Sequence, residues 1–235
     1  MKKLILGTIL LFSINLYADF ADGTFEYNAG NYEDAMILWD GACNKGDAKS
    51  CHNLGLILYT GKNIKQDYPR AAKAFSKACE KGISTSCFSL AVMNLRGSGI
   101  KQDYVKGVDY FDKACEAGHS YSCYNLGNIY KDGQIVIQHF EKSKKYFTKS
   151  CNADNMPACY ELGNLYVRGK KEYIEAQKLF SKACNGGLSY GCLNLGILYL
   201  DGLGVKQNKA TAKKLFLKAC DDGISTACEH YKKLK

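Results

Sequence analysis

Apolar residues recur at steps of three and four along most of the chain, and this spacing predicts amphipathic α-helices. Tyr68, Ala71, Phe75 and Ala78 form one such pattern, and residues 173–183 repeat it with similar residue types. A second kind of apolar segment ends in Asn-Leu-Gly or a close variant, and another glycine usually follows six residues later. Because glycine commonly ends helices and forms turns, the chain is predicted to consist of helix pairs joined by short turns.

The helix pairs repeat with a period of 36 residues, which the cysteines mark most clearly. Twelve cysteines form six pairs whose members are eight positions apart: Cys43/Cys51, Cys79/Cys87, Cys115/Cys123, Cys151/Cys159, Cys184/Cys192 and Cys220/Cys228. Successive pairs begin 36, 36, 36, 33 and 36 residues apart, because the turn Gly169–Glu172 is three residues shorter than the others. A two-helix period of this length predicts an all-α fold, an α/α solenoid of disulfide-stapled helix-pair repeats.

The constant spacing selects one disulfide pairing, near neighbour with near neighbour, from about ten thousand possibilities. Eight residues of continuous helix rise about 12 Å, whereas the Cα atoms of a disulfide lie within about 7 Å of each other. The helix must therefore stop and reverse between paired cysteines. Five units have a glycine for this stop, at Gly46, Gly82, Gly118, Gly187 and Gly223, and the fourth unit has Asp154-Asn155. The serines that follow are predicted N-caps: Ser84, Ser120, Ser189 and Ser225.

Residues 1–18 have the features of a signal peptide. Two lysines precede an apolar stretch from Leu4 to Leu16, and Ala18 supplies a small residue at the cleavage point. This stretch is shorter than the roughly 20 residues of a membrane span; an uncleaved N-terminal anchor is the alternative. Residues 19–235 are expected to form a single solenoid domain of about six helix pairs, with a C-terminal capping helix from Ser225 to Leu234.

The signal peptide and the even number of cysteines together predict a periplasmic or secreted protein with oxidised thiols. No segment after residue 18 is apolar for long enough to insert into a membrane. We therefore expect a monomer that does not insert into the membrane once the signal peptide is removed.

The positive charge indicates little about partners. The net charge of +9 comes almost entirely from scattered lysines, and Arg70, Arg96 and Arg168 are the only arginines. Such a distribution is a poor nucleic-acid footprint, so we expect no nucleic-acid partner and only a mild preference for anionic ones.

Two short motifs match those of serine hydrolases. Ser98 and Lys101 have the S-x-x-K spacing of serine β-lactamases and penicillin-binding proteins, and Gly187–Gly191 fits the G-x-S-x-G pattern around Ser189. Neither motif has its usual context. The first lies in an inter-helix turn without S-D-N or K-T-G, and the second follows a predicted helix instead of a strand. We therefore assign no catalytic residue.

Metal and cofactor sites are not predicted either. The four histidines do not have the spacing of a zinc site: His52, His119, His139 and His230. The Cys-x7-Cys spacing also differs from the Cys-x-x-Cys of zinc and redox motifs, and no phosphate-binding loop occurs.

One column of polar residues is the candidate ligand site. It lies two residues after the second cysteine of each pair and consists of Asn53, Ser89, Asn125, Glu161 and Asn194, followed by His230 in the last unit. These positions fall on the first helix of each pair, which usually lines the concave groove of a solenoid. Their side chains are suited to clamping a peptide backbone or carboxylate. The alternative is that they cap or bridge neighbouring helices.

The repeated residues resemble the Helicobacter cysteine-rich protein family, which is built of Sel-like repeats. The matching units are "FSKACEKGISTSCFSLAVMNLRGSGIKQDYVKG", "FDKACEAGHSYSCYNLGNIYKDG" and "FSKACNGGLSYGCLNLGILYLDGLGVKQNKATA". The resemblance covers nearly all of the predicted mature chain, because the cysteine spacing, the Lys-Ala-Cys step and the Asn-Leu-Gly step recur together.

The resemblance implies a secreted or periplasmic solenoid related to tetratricopeptide repeats. Some members of the family are described as penicillin-binding proteins with weak β-lactamase activity, and others are linked to host immune responses. Two functions therefore enter as expectations. The first is a rigid scaffold that binds a peptide, a peptidoglycan fragment or a host protein in its groove. The second is a weak β-lactamase or penicillin-binding activity.

Overall fold

The computed structural model describes residues 20–169 and 172–234, and these residues form thirteen helices and no strand. The all-α prediction is thereby confirmed, while the predicted signal peptide lies outside the described residues. None of the helices in this part of the chain has both the length and the apolar character that crossing a membrane requires.

The described chain divides into two compact units, and the division falls between His119 and Ser120. The first unit contains α1 (residues 20–29), α2 (Tyr32–Asn44), α3 (Ala48–Thr60), α4 (Tyr68–Glu80), α5 (Ser84–Arg96) and α6 (Tyr104–Glu116). The second contains α7 (Ser120–Asp132), α8 (Phe140–Asn152), α9 (Met156–Arg168), α10 (Tyr173–Asn185), α11 (Ser189–Asp201), α12 (Lys209–Asp221) and α13 (Ser225–Lys233). Within each unit, helices that are adjacent in sequence pack against each other, as the predicted helix-pair solenoid requires. The assignment of residues 19–235 to a single domain stays a prediction.

Each disulfide lies where the chain reverses between two helices. The Cα atoms of Cys43 and Cys51 are 4.6 Å apart, and the same pairing recurs at Cys79–Cys87, Cys151–Cys159, Cys184–Cys192 and Cys220–Cys228. Cys115 and Cys123 are also disulfide-bonded. The five predicted stop glycines all have positive φ, and Asp154 adopts φ 57° at the corresponding reversal of the fourth repeat. The predicted reversal is therefore confirmed.

The predicted serine N-caps are wrong. Ser84, Ser189 and Ser225 are already the first helical residues, and the N-caps are Ile83, Leu188 and Ile224, which make no side-chain cap hydrogen bond. Ser120 is likewise the first residue of α7. Ile83, Leu188 and Ile224 are extended, and their apolar side chains pack on the core. Burial of this side chain is favoured over a polar cap at the same position.

Two of the repeats that lack an apolar residue at this position have side-chain caps. Asp47 accepts a hydrogen bond from the Ser50 backbone N–H at 2.7 Å, and Asn155 accepts one from the Ala158 N–H at 3.1 Å. The capping residue therefore lies one position earlier than the serines suggested.

The glycine of the Asn-Leu-Gly step makes room for a buried phenylalanine from the following helix. Phe75, Phe147, Phe180 and Phe216 are fully buried, and each ring lies against the glycine of the preceding helix: Gly55, Gly127, Gly163 and Gly196 respectively. A Cβ atom added to Gly196 would lie 2.7 Å from Cε1 of Phe216. The glycine therefore permits a close approach of the two helices of a pair.

One pair of helices places this glycine on the opposite helix. Ala91 of α5 occupies the position of the usual glycine, and the facing helix α6 carries Gly107. A Cβ atom on Gly107 would lie 2.5 Å from Leu95 and 3.3 Å from the carbonyl oxygen of Ala91. In α7 and α8 the same two positions touch directly, since the Ser143 hydroxyl donates to the Gly127 carbonyl at 2.8 Å. One glycine in each facing pair is enough for the close approach.

We expect Gly196→Ala to lower the free energy of unfolding by about 1–3 kcal/mol, because the added methyl group overpacks the contact with Phe216. Denaturant unfolding of the oxidised protein measures this loss. Gly41→Ala is the matched control: Gly41 is also helical, has no neighbour within 4 Å of an added Cβ, and should gain up to about 1 kcal/mol. Equal effects of both changes would contradict the packing argument.

Ala212→Gly reproduces the Ala91/Gly107 arrangement and should couple favourably with Gly196→Ala in a double-mutant cycle.

Candidate functional site

The S-x-x-K motif lies in an ordinary inter-helix turn. The Ser98 backbone N–H donates to the Met93 carbonyl at 3.1 Å, which closes the end of α5. Among the described residues, no lysine, histidine or carboxylate side chain forms a hydrogen bond with the Ser98 hydroxyl, and Lys101 of the motif is no exception. A nucleophilic serine needs such a base within hydrogen-bond reach, so this turn does not form a catalytic centre by itself.

Ser189 forms a surface hydrogen bond between two helix ends. It is the first residue of α11, and its hydroxyl donates to Oδ2 of Asp222, the C-cap of α12, at 2.6 Å in an exposed position. The residues before it form helix α10 and a turn, whereas a nucleophile elbow follows a strand. The contact joins adjacent helix pairs and accounts for Ser189 without a catalytic role.

A serine–histidine pair occurs elsewhere, but in the core. His52 Nδ1 lies 2.8 Å from the Ser86 hydroxyl, and this contact links α3 to α5. Because Ser86 is fully buried, its hydroxyl is inaccessible to a substrate. In the part of the chain that the structure describes, no cluster of three or more metal-ligating side chains occurs.

The buried histidines predict a stability that depends on pH. Burial lowers the pKa of His52 and of His119 below the ordinary histidine value of 6.5. The unfolded chain therefore takes up protons that the folded chain does not as the pH falls through 6.5. Stability from this source is present above pH 6.5 and decreases as the pH falls towards the lowered pKa values of the folded state.

Unfolding free energies measured in denaturant at several pH values between about 7.5 and 5 test this dependence. The double variant His52→Phe/Ser86→Ala should flatten the dependence partly, since His119 remains. Phe88 and Ala158 already occupy the equivalent positions in other repeats, so this change should be tolerated. An unchanged pH dependence in the double variant would contradict the role of His52.

The predicted ligand column is half-buried and mostly hydrogen-bonded within its own unit. Two members bond along their own helix: Ser89 to the Thr85 carbonyl at 3.0 Å, and Asn125 to the Tyr121 carbonyl at 2.8 Å. Further along the chain, two members bridge to the preceding helix pair, which is the alternative that the sequence left open. Glu161 forms an ion pair with Lys131 at 2.9 Å, and the side-chain amide of Asn194 donates a hydrogen bond to Oδ1 of Asn164 at 3.1 Å. His230 instead stacks on Phe216. A ligand role for Asn53 and the other members stays a proposal.

Repeated lysines have a structural role that the sequence reasoning missed. The lysine of each Lys-Ala-Cys step, or of its variant Lys149-Ser150-Cys151, lies in the last turn of its helix. Lys182 Nζ donates to the Cys151 carbonyl at 2.8 Å, and Lys218 Nζ donates to the Cys184 carbonyl at 3.2 Å. Both carbonyls belong to the end of a helix one repeat earlier, where a cation is favoured by the helix dipole. Part of the positive charge therefore stabilises contacts between repeats.

The comparisons with known proteins agree with this architecture. The Sel1 repeat matches five consecutive segments, residues 48–83, 84–119, 120–155, 157–188 and 189–224. No curated protein matches the sequence.

Solved structures share the fold. A protective antigen of uropathogenic Escherichia coli strains, which displays an SLR fold, is 26% identical with a TM-score of 0.75; the match covers 93% of this chain and 48% of that one. The chain thus spans about half the length of that antigen. A Sel1 repeat protein from Oxalobacter formigenes is 19% identical with a TM-score of 0.72, and the match covers 91% of this chain and 86% of that one.

Helicobacter pylori cysteine rich protein B is 34% identical, with a TM-score of 0.44; the match covers 57% of this chain and 98% of that one. The resemblance to Sel-like repeat proteins is confirmed by the repeat matches, which extend over most of the chain. The regular helix pairs, the glycine contacts and these matches together show that the chain belongs to the Sel1 repeat family.

Proposed function

We propose that this Sel1 repeat protein is a rigid scaffold outside the cytoplasm. It binds an extended peptide, which belongs either to a protein or to a peptidoglycan fragment. All twelve cysteines lie in the described residues and all are disulfide-bonded, which suits a periplasmic or secreted protein. The disulfides hold each helix reversal, so little conformational entropy is lost when a ligand binds.

The observation that carries the proposal is the recurring polar column on the first helix of each pair. Its side chains are half-buried, and several are already oriented by a hydrogen bond to their own helix or the preceding pair. An amide held in one orientation is suited to bond a peptide backbone with little reorganisation. The serines considered for catalysis lie in turns and at helix ends, so the β-lactamase alternative has no comparable support.

Selection from a displayed random-peptide library against the oxidised full-length protein tests the proposal. A selected peptide should titrate to saturation, and Asn125→Ala/Asn194→Ala should weaken its Kd by about tenfold or more. Asn152→Ala/Asn185→Ala is the matched control, because both asparagines are exposed at helix ends of the same unit. Failure to obtain a peptide that binds saturably would contradict the scaffold function. Equal losses in the two double variants would contradict the role of the column.

A further inference from the structure

The second unit contains a cleft of about 590 Å³ between the ends of α7 and α9 and the start of α8. This volume is in the range of ligand sites in proteins. Phe140, Leu165 and Tyr166 contribute apolar surface, and most of the other lining side chains are charged, with both signs present. None of the sequence motifs points to this cleft.

The cleft lies beside the shortened turn Gly169–Glu172. The turns after α3, α5, α7 and α11 have seven residues: Gly61–Asp67, Gly97–Asp103, Gly133–His139 and Gly202–Asn208. The turn Gly169–Glu172 has four, yet it closes with the equivalent hydrogen bond. The Glu172 N–H donates to the Tyr166 carbonyl at 3.1 Å, as the Asn208 N–H donates to the Tyr199 carbonyl at 2.8 Å. The short turn therefore joins the same two helix positions without three of the usual residues.

In the long turns, the additional residues cover apolar surface. Ile64 and Val205 pack against the cores of their units. Gly99 lies so close to Tyr68 that an added Cβ would be 2.1 Å from the Tyr68 Cβ atom. The turns that contain Gly99 and Gly204 thus cover the aromatic residues Tyr68 and Tyr173, which start helices in the preceding repeats.

Long turns also supply a polar contact. A glutamine near the end of the turn donates from Nε2 to a carbonyl in the last turn of the preceding helix, as Gln66 does to Tyr59 at 2.6 Å and Gln207 to Leu200 at 2.8 Å. The sequence of the short turn, Gly-Lys-Lys-Glu, includes neither an apolar residue nor a glutamine.

Phe140 is the aromatic residue beside the short turn. It starts α8 as Tyr68 starts α4 and Tyr173 starts α10, and Gly169 and Glu172 of the short turn line the cleft together with it. Phe140 is 55% exposed, whereas Tyr68 and Tyr173 are half-buried beneath Gly99 and Gly204. The cleft thus includes apolar surface that the turns with Gly99 and Gly204 cover in two other repeats.

The charges in the cleft are available to a ligand. Lys144 lies 4.0 Å above the ring of Tyr166, and Arg168 is exposed. Neither of these cations, nor Glu141 or Glu172, forms an ion pair with another described residue. Lys131 differs from them, because Glu161 already pairs with it at 2.9 Å.

We propose that this cleft binds an extended peptide segment in place of the missing turn residues. An apolar side chain of the segment packs on Phe140 and Leu165, an acidic group pairs with Lys144 and Arg168, and a basic group pairs with Glu141 and Glu172. The inference rests on the proposed peptide-binding function, but it names a site separate from the polar column.

The probe is acetyl-Gly-Ile-Lys-Gln-Asp-amide, which reproduces residues 99–103 and carries the apolar and charged groups that the cleft accommodates. Titration into isotope-labelled, oxidised, full-length protein, followed by NMR, should give saturable shifts at residues of the cleft. Arg168→Ala and Lys144→Ala should each weaken the Kd by about fivefold to tenfold. A peptide with serine in place of isoleucine should bind more weakly than the probe.

A turn graft provides the sharpest control. Replacement of Gly169–Glu172 by the seven residues of Gly202–Asn208 should fill the cleft and abolish probe binding. Asn125→Ala/Asn194→Ala should leave probe binding unchanged, which separates the cleft from the column.

No saturable shifts in the wild-type protein, or equal binding by the wild type and a folded graft, would overturn the inference. If the graft does not fold, unchanged affinity in both Arg168→Ala and Lys144→Ala overturns it instead. A library-selected peptide that still binds the graft supports the scaffold function at another site.

Discussion

Replacement of Cys184 and Cys192 together by alanine is expected to lower the free energy of unfolding by about 4 kcal/mol. Closing a loop of nine residues contributes about 2.5 kcal/mol through the entropy of the unfolded chain. The remainder comes from packing, because both cysteines are fully buried beside Phe216 and alanine leaves their sulfur volume empty. Denaturant unfolding followed by far-ultraviolet circular dichroism measures the loss.

The disulfide between Cys220 and Cys228 is the control, since it closes a loop of the same length with only half-buried cysteines. Its double alanine variant should lose about 2.5 kcal/mol or less, and part of that loss should appear as separate unfolding of α13. A larger loss here than at Cys184–Cys192 would contradict the packing contribution. Complete reduction of all the disulfides should unfold the chain at room temperature.

Phe180→Ala is expected to cost about 3–5 kcal/mol of unfolding free energy. The ring is 1% exposed and fills the space that Gly163 leaves on the facing helix, so neighbouring atoms have little freedom to close the cavity. Thermal and denaturant unfolding of the oxidised variant measure the change.

Phe140→Ala is the matched control, because it removes the same ring from a half-exposed position. It should change the unfolding free energy by less than about 1 kcal/mol, while it weakens probe binding in the cleft. Similar destabilisation by the two variants would show that the ring of Phe180 does not have the packing role assigned to it.

The repeat architecture was predictable because its determinants are local. Cysteines eight positions apart require a reversal, and a glycine at Gly46 or Gly187 allows it, so spacing alone predicts both the disulfide and the turn. The serine caps were wrong for an equally local reason. Extended apolar residues such as Ile83 take the capping position, and the sequence does not show in advance that their burial prevails over a polar cap.

The cleft was not predictable in the same way. Its apolar wall depends on whether a turn in one repeat covers Phe140 in the preceding repeat, and no pattern within a single repeat contains that relation. The shortened turn at Gly169 was visible in the sequence, but its consequence required the contact between Gly99 and Tyr68 as a reference. Likewise, the sequence does not distinguish Lys182 from other surface lysines, and only the structure shows its hydrogen bond to the Cys151 carbonyl.

The short span of each disulfide also bears on how such a chain changes in length during evolution. The bridges join cysteines eight residues apart, and each lies within a single helix reversal. Duplication or loss of a whole unit therefore adds or removes cysteines in complete pairs, and no thiol is left without its partner. Recombination between repeats can lengthen or shorten the protein without leaving a cysteine that lacks its partner. Disulfides between distant segments would not allow such changes in length.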